Sequence, residues 1–309
     1  MFRRTYLGLE ICRDGMRAIA VQRKGMGTAL LGGQTLKLSD GVLCPVVQEP
    51  NVLKPDAFVE AVREVLMPLA HGEERIAVAL PDAAGHVFLL ELDTPFKNRS
   101  EGAEIVRWKL KDLLPDKLTR ISVDYQVLEE RESGSKRVLA SVIAQDVLTQ
   151  YEELLIKAGF APCLIDFHAM TLYSAYRSIV DMGADYFLIG VDNRQLSILA
   201  FENKLLDFYR IKGVVNDPEQ IFQEINRSMT GYRRAHAAAS RSAVYLHTDW
   251  PQRDELCDAV RSAFDRDIQL LPSPLSRLNT TGKLTISAAE ANGMAVALGM
   301  AERMIQRVS

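Results

Sequence analysis

Residues 6–21 read YLGLEICRDGMRAIAV, and this stretch decides the fold. Leu7, Leu9 and Ile11 alternate with small or polar residues, the chain then turns, and a second apolar run follows. Alternating residues on both sides of a short turn that ends in glycine are typical of a β-hairpin. We therefore predict a hairpin whose turn is Cys12-Arg13-Asp14-Gly15.

A second stretch of the same design opens the other half of the chain. Residues 186–201 read YFLIGVDNRQLSILAF, with Asp192-Asn193-Arg194-Gln195 as the predicted turn. Two such hairpins predict a duplicated α/β fold with a cleft between its halves. In folds of this kind the two turns face each other across the cleft, where the phosphates of a nucleotide would lie.

Composition restricts the class of protein. The chain has 309 residues, enough for about two domains, and its net charge of −3 offers no basic surface for nucleic acid. The four cysteines are far apart and are predicted to be thiols in a reducing compartment, not disulfides or metal ligands. We find no signal peptide and no apolar run of about 18 residues that would span a membrane, so we predict a cytoplasmic protein.

The order of predicted elements indicates the architecture. Three strands, a helix over residues 56–69 and a strand over 75–80 give the β-β-β-α-β order of a ribonuclease-H-like half of actin-type proteins. We predict an α/β, actin-like ATPase fold of two such halves. The first lobe comprises residues 1–81 and 168–184, an inserted α+β subdomain comprises 82–167, and the second lobe comprises 185–309.

Two further features refine this prediction. Only a few residues separate Gly213 from a helix beginning at Glu219, so the nucleotide-side subdomain of the second lobe is predicted to be shortened or missing. In the inserted subdomain we predict a helix over residues 101–114, capped by Ser100, with Ile105 and Trp108 on its apolar face. A single closing helix is predicted over residues 288–308.

The inserted subdomain carries the most specific motif of the chain. It reads Ile105-Val106-Arg107-Trp108-Lys109, then Pro115, then Val123-Asp124-Tyr125-Gln126-Val127-Leu128. In this order the three segments resemble those of PilM, the actin-like cytoplasmic protein of type IV pilus assembly. Further similar pieces occur at residues 151–159, 225–229 and 295–301, so the resemblance covers nearly the whole chain. The cytoplasmic part of the type II secretion protein GspL is similar by fold.

The resemblance implies a scaffold at the inner face of the inner membrane. Proteins of this family bind the cytoplasmic N-terminus of a PilN-like membrane protein and couple the membrane platform to motor ATPases. Their docking groove lies beside the inserted subdomain, and Arg107, Trp108 and Lys111 are the partner-binding residues that we predict here. The alternative for Trp108 is a place in the core.

The first predicted turn departs from a nucleotide-binding sequence. Actin-like families use a D-x-G-S-S pattern, in which glycine and serine let backbone N–H groups approach the phosphates and the Asp organises Mg²⁺. Here Glu10 replaces that Asp, Cys12 replaces glycine, and Arg13 and Asp14 follow. Arg13 is able to bind a phosphate, but its bulk blocks the close backbone approach.

The second half departs further. Where a D-I-G pattern is expected, the chain has Gly190-Val191-Asp192-Asn193, and an Asp facing a phosphate without a metal repels it. The strand at 243–246 leads into His247-Thr248-Asp249-Trp250, without the glycine pair expected near an adenine. We predict that ordinary ATP binding is lost and that Glu10, Arg13, Asp14, Asp192 and Asn193 form a degenerate nucleotide site. The alternative is a modified site that binds ATP with Mg²⁺ through Arg13.

Other chemistries find less support. The five histidines show no ligand spacing, so no metal site is predicted. Basic residues at 212, 227, 233, 234 and 241 indicate a solvated face, or a docking surface for an acidic protein. We therefore expect a non-catalytic scaffold without a cofactor. The competing hypothesis is a divergent ATPase whose nucleotide state switches partner binding, and a sugar-kinase-type phosphotransferase is disfavoured.

Overall fold

The computed structural model describes residues 4–25, 27–115, 118, 120–180, 183, 185–280 and 288–308. The first half of the chain contains β1 (Thr5–Cys12), β2 (Gly15–Lys24), β3 (Gly27–Lys37), α1 (Pro55–Ala70), β4 (Arg75–Leu80), β5 (Gly85–Leu92), α2 (Arg99–Leu110), β6 (Ile121–Glu130), β7 (Lys136–Ala144), α3 (Gln145–Lys157), β8 (Ala161–Phe167) and α4 (His168–Val180). The second half contains β9 (Tyr186–Asp192), β10 (Gln195–Glu202), β11 (Leu205–Gly213), α5 (Pro218–Ala235), β12 (Ala243–Thr248), α6 (Arg253–Phe264), β13 (Gln269–Leu270), β14 (Asn279–Thr280), α7 (Ala288–Gly293) and α8 (Ala295–Val308).

Both predicted hairpins are present, and each lies in its own sheet. The first sheet has the order β14-β3-β2-β1-β4-β8, and the second has the order β11-β10-β9-β12-β13. Strands β1 and β2 pair antiparallel up to Cys12 opposite Gly15, and β9 and β10 pair up to Asp192 opposite Gln195. In each half the next strand, β4 or β12, runs parallel to the first strand of the hairpin. The duplicated α/β fold is therefore confirmed.

Helices α4 and α8 lie between the two sheets. One hydrophobic cluster joins residues of β1, β2 and β4 to both helices and to β9 and β10 of the second sheet. A second cluster places α1 and α3 against the first sheet, and a third places α5 and α6 against the second. The apolar faces of both sheets are thus covered, and the carboxyl ends of β1 and β9 meet at one cleft.

The inserted subdomain is smaller than predicted. Strands β5, β7 and β6 form a three-stranded sheet, and α2 packs on it through Val106 and Leu110. Strand β8 pairs with β4 of the first sheet, and α3 buries Tyr151 and Leu155 in the first lobe's core. The insertion thus comprises residues 85–144, and the predicted range of 82–167 includes α3 and β8, which belong to the first lobe.

The end of the chain also differs from the prediction. The predicted second lobe ran from 185 to 309, whereas β14 pairs with β3 of the first sheet. Helix α8 packs on β1 and α4, close enough that a Cβ atom on Gly8 would lie 1.9 Å from the Ala297 carbonyl oxygen. The last residues therefore complete the first lobe. The single helix predicted over 288–308 is divided into α7 and α8.

Two local predictions have clear outcomes. Strand β11 ends at Gly213 and α5 begins at Pro218, so the shortened connection in the second lobe is confirmed. The prediction that Ser100 caps α2 is wrong, because the side chain of Asn98 accepts the hydrogen bond from the Glu101 N–H. The helix also ends at Leu110 instead of continuing to residue 114.

Candidate functional site in the interlobe cleft

Two buried carboxylates mark the cleft. Glu10 lies near the carboxyl end of β1, Asp192 ends β9, and their exposures are 0% and 1%. An isolated buried charge costs several kcal/mol unless a partner of opposite charge compensates it. Each of these carboxylates therefore needs a cation, a hydrogen-bond donor or a proton.

The side chain of His168 lies between the two carboxylates. It is the first residue of α4, where the chain passes from the first lobe towards the second. Its Nδ1 lies 2.9 Å from Glu10 Oε1, and its Nε2 lies 2.9 Å from Asp192 Oδ2. One imidazole ring thus bridges the acidic residues of both lobes.

This arrangement favours a charged imidazole. Burial alone lowers the pKa of His168, but the carboxylates of Asp192 and Glu10 raise that pKa well above its ordinary value. Burial raises the pKa of Asp192, and His168 and His247 reverse this and hold it well below its usual range. The pKa of Glu10 is also lowered, since Arg17 and His168 outweigh the effect of burial. The site is therefore a carboxylate–imidazolium–carboxylate bridge.

Further contacts join the lobes around this bridge. The Asn193 Nδ2 donates to Glu10 Oε1 at 2.8 Å, from a turn position with φ of 48°. Arg17 of β2 donates to Asp249 Oδ2 at 2.6 Å and lies 3.6 Å from Glu10 Oε2. Of the residues that sequence analysis placed in the degenerate site, Glu10, Asp192 and Asn193 therefore come together.

His247 contacts the bridge from the second lobe. Its Nε2 lies 3.3 Å from Asp192 Oδ2, within ion-pair range, and its Nδ1 is 2.9 Å from the Tyr176 hydroxyl. Burial and the charge of Asp192 raise the pKa of Tyr176. The tyrosine therefore stays protonated and serves as a neutral hydrogen-bond partner.

A third buried carboxylate, that of Asp82, lies at the mouth of the cleft. It accepts hydrogen bonds from the Ala169 N–H at 3.1 Å, from Gln195 Nε2 at 2.7 Å and from the Tyr209 hydroxyl at 3.0 Å. Burial raises the pKa of Asp82 despite these donors and nearby His168. Residues of both lobes thus converge on this side chain as well.

The remaining predicted residues lie further out. The exposed Arg13 and Arg194, one from each turn, both line a cavity of about 850 Å³ at the mouth of the cleft. Asp14 is exposed, and its backbone carbonyl accepts a hydrogen bond from the Leu38 N–H at 2.9 Å. Neither Arg13 nor Asp14 takes part in the bridge.

The central residue of the site, His168, was not predicted from the sequence. His168, His247 and Arg17 were not assigned to it, because 158 residues separate Glu10 from His168 and no fixed spacing marks the bridge. One signal was available. His168 directly follows the last strand of the first half. It therefore lies at the end of the sheet at which the first turn was also expected.

Comparison with known proteins tests the fold. No protein-family model and no curated protein matches the sequence. Among solved structures, the chain is similar to one described as a PilM–PilN type IV pilus biogenesis complex, with a TM-score of 0.81, 17% identity and coverage of 96% of this chain and 98% of the other. It is also similar to a Bacteroides thetaiotaomicron protein of unknown function with an actin-like ATPase fold, with a TM-score of 0.57, 11% identity and 95% coverage of each chain.

The chain has the actin-like ATPase fold. The cytoplasmic domain of Epsl, an inner-membrane component of the Vibrio cholerae type II secretion system, also matches, with a TM-score of 0.50, 8% identity and coverage of 96% of this chain and 95% of that domain. The predicted fold and the resemblance to PilM are thereby confirmed as structural similarities. No helix among the described residues is long and apolar enough to span a membrane.

Within this actin-like fold, a groove separates the inserted subdomain from the first lobe. A cavity of about 280 Å³ is lined on one side by β6 and β7, including Ser122 and Val142. The other side is formed by α3 and β8, including Leu148 and Ile165. Strand β8 is the edge of the first sheet, so one side of its backbone has no neighbouring strand among the described residues.

The three predicted partner-binding residues lie elsewhere on the inserted subdomain. Arg107, Trp108 and Lys111 are exposed on or just after α2, and they are not among the residues that line this groove. The Trp108 side chain is 66% exposed, so the alternative of a core position is wrong. Its role in partner binding stays a prediction.

Proposed function

We propose that this chain is a cytoplasmic, non-catalytic scaffold at the inner face of the inner membrane, in a type IV pilus or related type II secretion platform. The observation that carries the proposal is the end-to-end structural similarity to the PilM–PilN complex. The similarity to the Epsl cytoplasmic domain supports the same setting. We further propose a PilN-like membrane protein as partner, with contacts to motor ATPases through the exposed surface.

The geometry of the cleft argues against an Mg·ATP site. Mg²⁺ requires octahedral oxygen ligands at about 2.0–2.1 Å and usually keeps several waters. Here an imidazole ring fills the space between Glu10 and Asp192, and both of its nitrogens are within hydrogen-bonding distance of the carboxylates. His168 thus supplies internally the positive charge that a metal ion would supply, and the residues present do not fit Mg²⁺.

Thermal unfolding with and without Mg·ATP tests this part of the proposal. A nucleotide present at 100 times its dissociation constant adds about 2.7 kcal/mol to the free energy of unfolding. We expect no shift in Tm at millimolar Mg·ATP. A reproducible increase would favour the alternative function, an ATPase whose nucleotide state switches partner binding.

We propose that the partner's cytoplasmic segment docks as an extended chain in the groove between the inserted subdomain and the first lobe. An edge strand offers unpaired backbone groups to an added strand, and neighbouring pockets select its side chains. Strand β8 supplies the edge, and Leu148, Ile165 and Val142 supply the apolar lining. In this proposal Arg107, Trp108 and Lys111 form a separate contact of the inserted subdomain.

A groove-filling substitution tests the docking site. Ser122→Trp places an indole in the groove, whereas Ser133→Trp places the same group on the exposed β6–β7 loop. Calorimetry measures the binding of a synthetic peptide that has the sequence of the cytoplasmic N-terminus of the PilN-like partner. We expect Ser122→Trp to abolish binding and Ser133→Trp to leave it unchanged. Equal binding by both variants would exclude this groove.

A further inference from the structure

A cluster of three metal-ligating side chains lies outside the cleft, at the far end of the second lobe's sheet. Glu202 ends β10, Asp207 is in β11, and His236 follows α5 directly. The His236 Nδ1 lies 3.2 Å from Glu202 Oε2 and 3.5 Å from Asp207 Oδ2. One ligand atom from each residue lies within 4.8 Å of the other two.

The β10–β11 hairpin directs both carboxylates to this point. Its turn residues Asn203 and Lys204 have φ of 50° and 67°, as a two-residue hairpin turn requires. The pairing register shifts between Ala200 and Phe201, which leaves Asp207 without a cross-strand partner. A bulge of this kind re-aims a side chain and commonly occurs beside functional sites.

The imidazole is held in a fixed orientation. The His236 ring stacks on the Tyr232 ring, with centroids 4.1 Å apart and an interplanar angle of 12°. Tyr232 is also hydrogen-bonded to Asp207, and burial together with the charge of that carboxylate raises the pKa of the tyrosine. Stacking leaves Nδ1 facing the two carboxylates.

The spacing and the charge fit a metal ion. Tetrahedral ligands at the usual zinc distances of about 2.0–2.2 Å are about 3.4 Å from one another. The distances from His236 Nδ1 to Glu202 Oε2 and to Asp207 Oδ2, 3.2 and 3.5 Å, agree with that value. Arg137 binds the other oxygen of Asp207, Oδ1, at 2.6 Å and leaves Oδ2 directed at the imidazole. The two carboxylates outnumber the one guanidinium beside them, so Arg137 does not compensate both negative charges.

We propose that Glu202, Asp207 and His236 bind a divalent transition-metal ion of the zinc class. Imidazole with carboxylate is a ligand set that suits such ions, and three protein ligands leave a position for water. The ion would join the β10–β11 hairpin to the end of α5, where Arg137 of the inserted subdomain meets the second lobe. The site is independent of the cleft and of the docking groove.

Cobalt substitution tests the proposal directly. The full chain is freed of metal by a chelator and titrated with Co²⁺, which reports tetrahedral nitrogen and oxygen ligation by its visible absorption. We expect one Co²⁺ per chain, without a thiolate charge-transfer band, and displacement by Zn²⁺. A thiolate band would instead indicate binding at the exposed Cys44 or Cys163 and would overturn the proposal.

Variants show whether these residues are the ligands. His236→Ala and Glu202→Gln should each weaken Zn²⁺ binding at least about tenfold, since losing only a hydrogen-bond partner of a ligand already costs about 10–100-fold. His71→Asn, an exposed residue with φ of 46°, is the matched control and should bind as the wild type does. Circular dichroism confirms that each variant is folded. No binding by the wild type, or unchanged binding by both ligand variants, would overturn the proposal.

Discussion

Glu10 of the first lobe and Asp192 of the second lie on opposite sides of one imidazole ring, that of His168, which is 2.9 Å from each carboxylate. An acidic residue at or near the end of the first strand of each hairpin is therefore joined to its counterpart in the other lobe through a single side chain. The bridge connects the lobes at the base of the cleft, and this relationship determines the expected behaviour of the site.

Removal of the bridging imidazole should destabilise the protein strongly. His168→Leu removes the cation that lies between two buried carboxylates, and breaking a buried ion pair in this way costs about 3–5 kcal/mol. We expect a loss of this size in the free energy of unfolding, measured by urea denaturation at pH 6. The same substitution in a Glu10→Gln, Asp192→Asn background should cost much less, because no charge is stranded. An equal cost in both backgrounds would contradict the bridge.

The contribution of the bridge should depend on pH. The folded pKa of His168 is raised, so its contribution is complete below the unfolded value of about 6.5 and is lost as pH rises through the folded pKa. The pKa values of Glu10 and Asp192 are lowered, so their contributions are present above about pH 4 and are lost as pH falls.

We therefore expect the stability difference between wild type and His168→Leu to be largest between about pH 4.5 and 6.5. Above that range it should decline by up to about 1.4 kcal/mol per pH unit until the folded histidine is neutral. Urea denaturation at a series of pH values measures the difference. A constant difference from pH 6 to pH 9 would show that His168 is not charged in the folded protein.

The contact between α8 and the first sheet should tolerate no added methyl group on Gly8. A Cβ atom there would lie 1.9 Å from the Ala297 carbonyl oxygen, and backbone cannot move aside as a side chain does. We expect Gly8→Ala to lower the free energy of unfolding by about 3 kcal/mol, at the upper end of overpacking costs. Gly213→Ala is the control, because no atom lies within 4 Å of its added Cβ. Similar thermal unfolding of both variants would contradict this packing.

The two tryptophans should respond in opposite ways to truncation. Trp250 is 3% exposed in the core beneath α5 and α6, so Trp250→Ala should cost about 3–5 kcal/mol of stability. Trp108 is 66% exposed, and Trp108→Ala should change stability by less than about 0.5 kcal/mol. If Trp108 also contacts the partner, the same variant weakens partner binding in calorimetry. A large loss of stability in Trp108→Ala would place this residue in the core.

Local patterns predicted the elements of this fold well. Alternation around short turns indicated both hairpins, because strand periodicity and turn chemistry are properties of neighbouring residues. The boundaries of the inserted subdomain were harder. Whether α3 and β8 belong to it depends on β8 pairing with β4, a contact between distant segments that no local pattern encodes.

The sequence by itself determined the duplicated α/β fold, the shortened second lobe and the departures in both turns, since each rests on residues close together in the chain. Only the tertiary structure decided what fills the cleft and what meets at the far end of the second sheet. His168 contacts both Glu10 and Asp192, and His236 lies beside Glu202 and Asp207. These contacts form because strand pairing and helix packing bring together strands and helices that are far apart in the sequence. Charge compensation between buried groups acts through space, and the distances that govern it are fixed only when the core is packed.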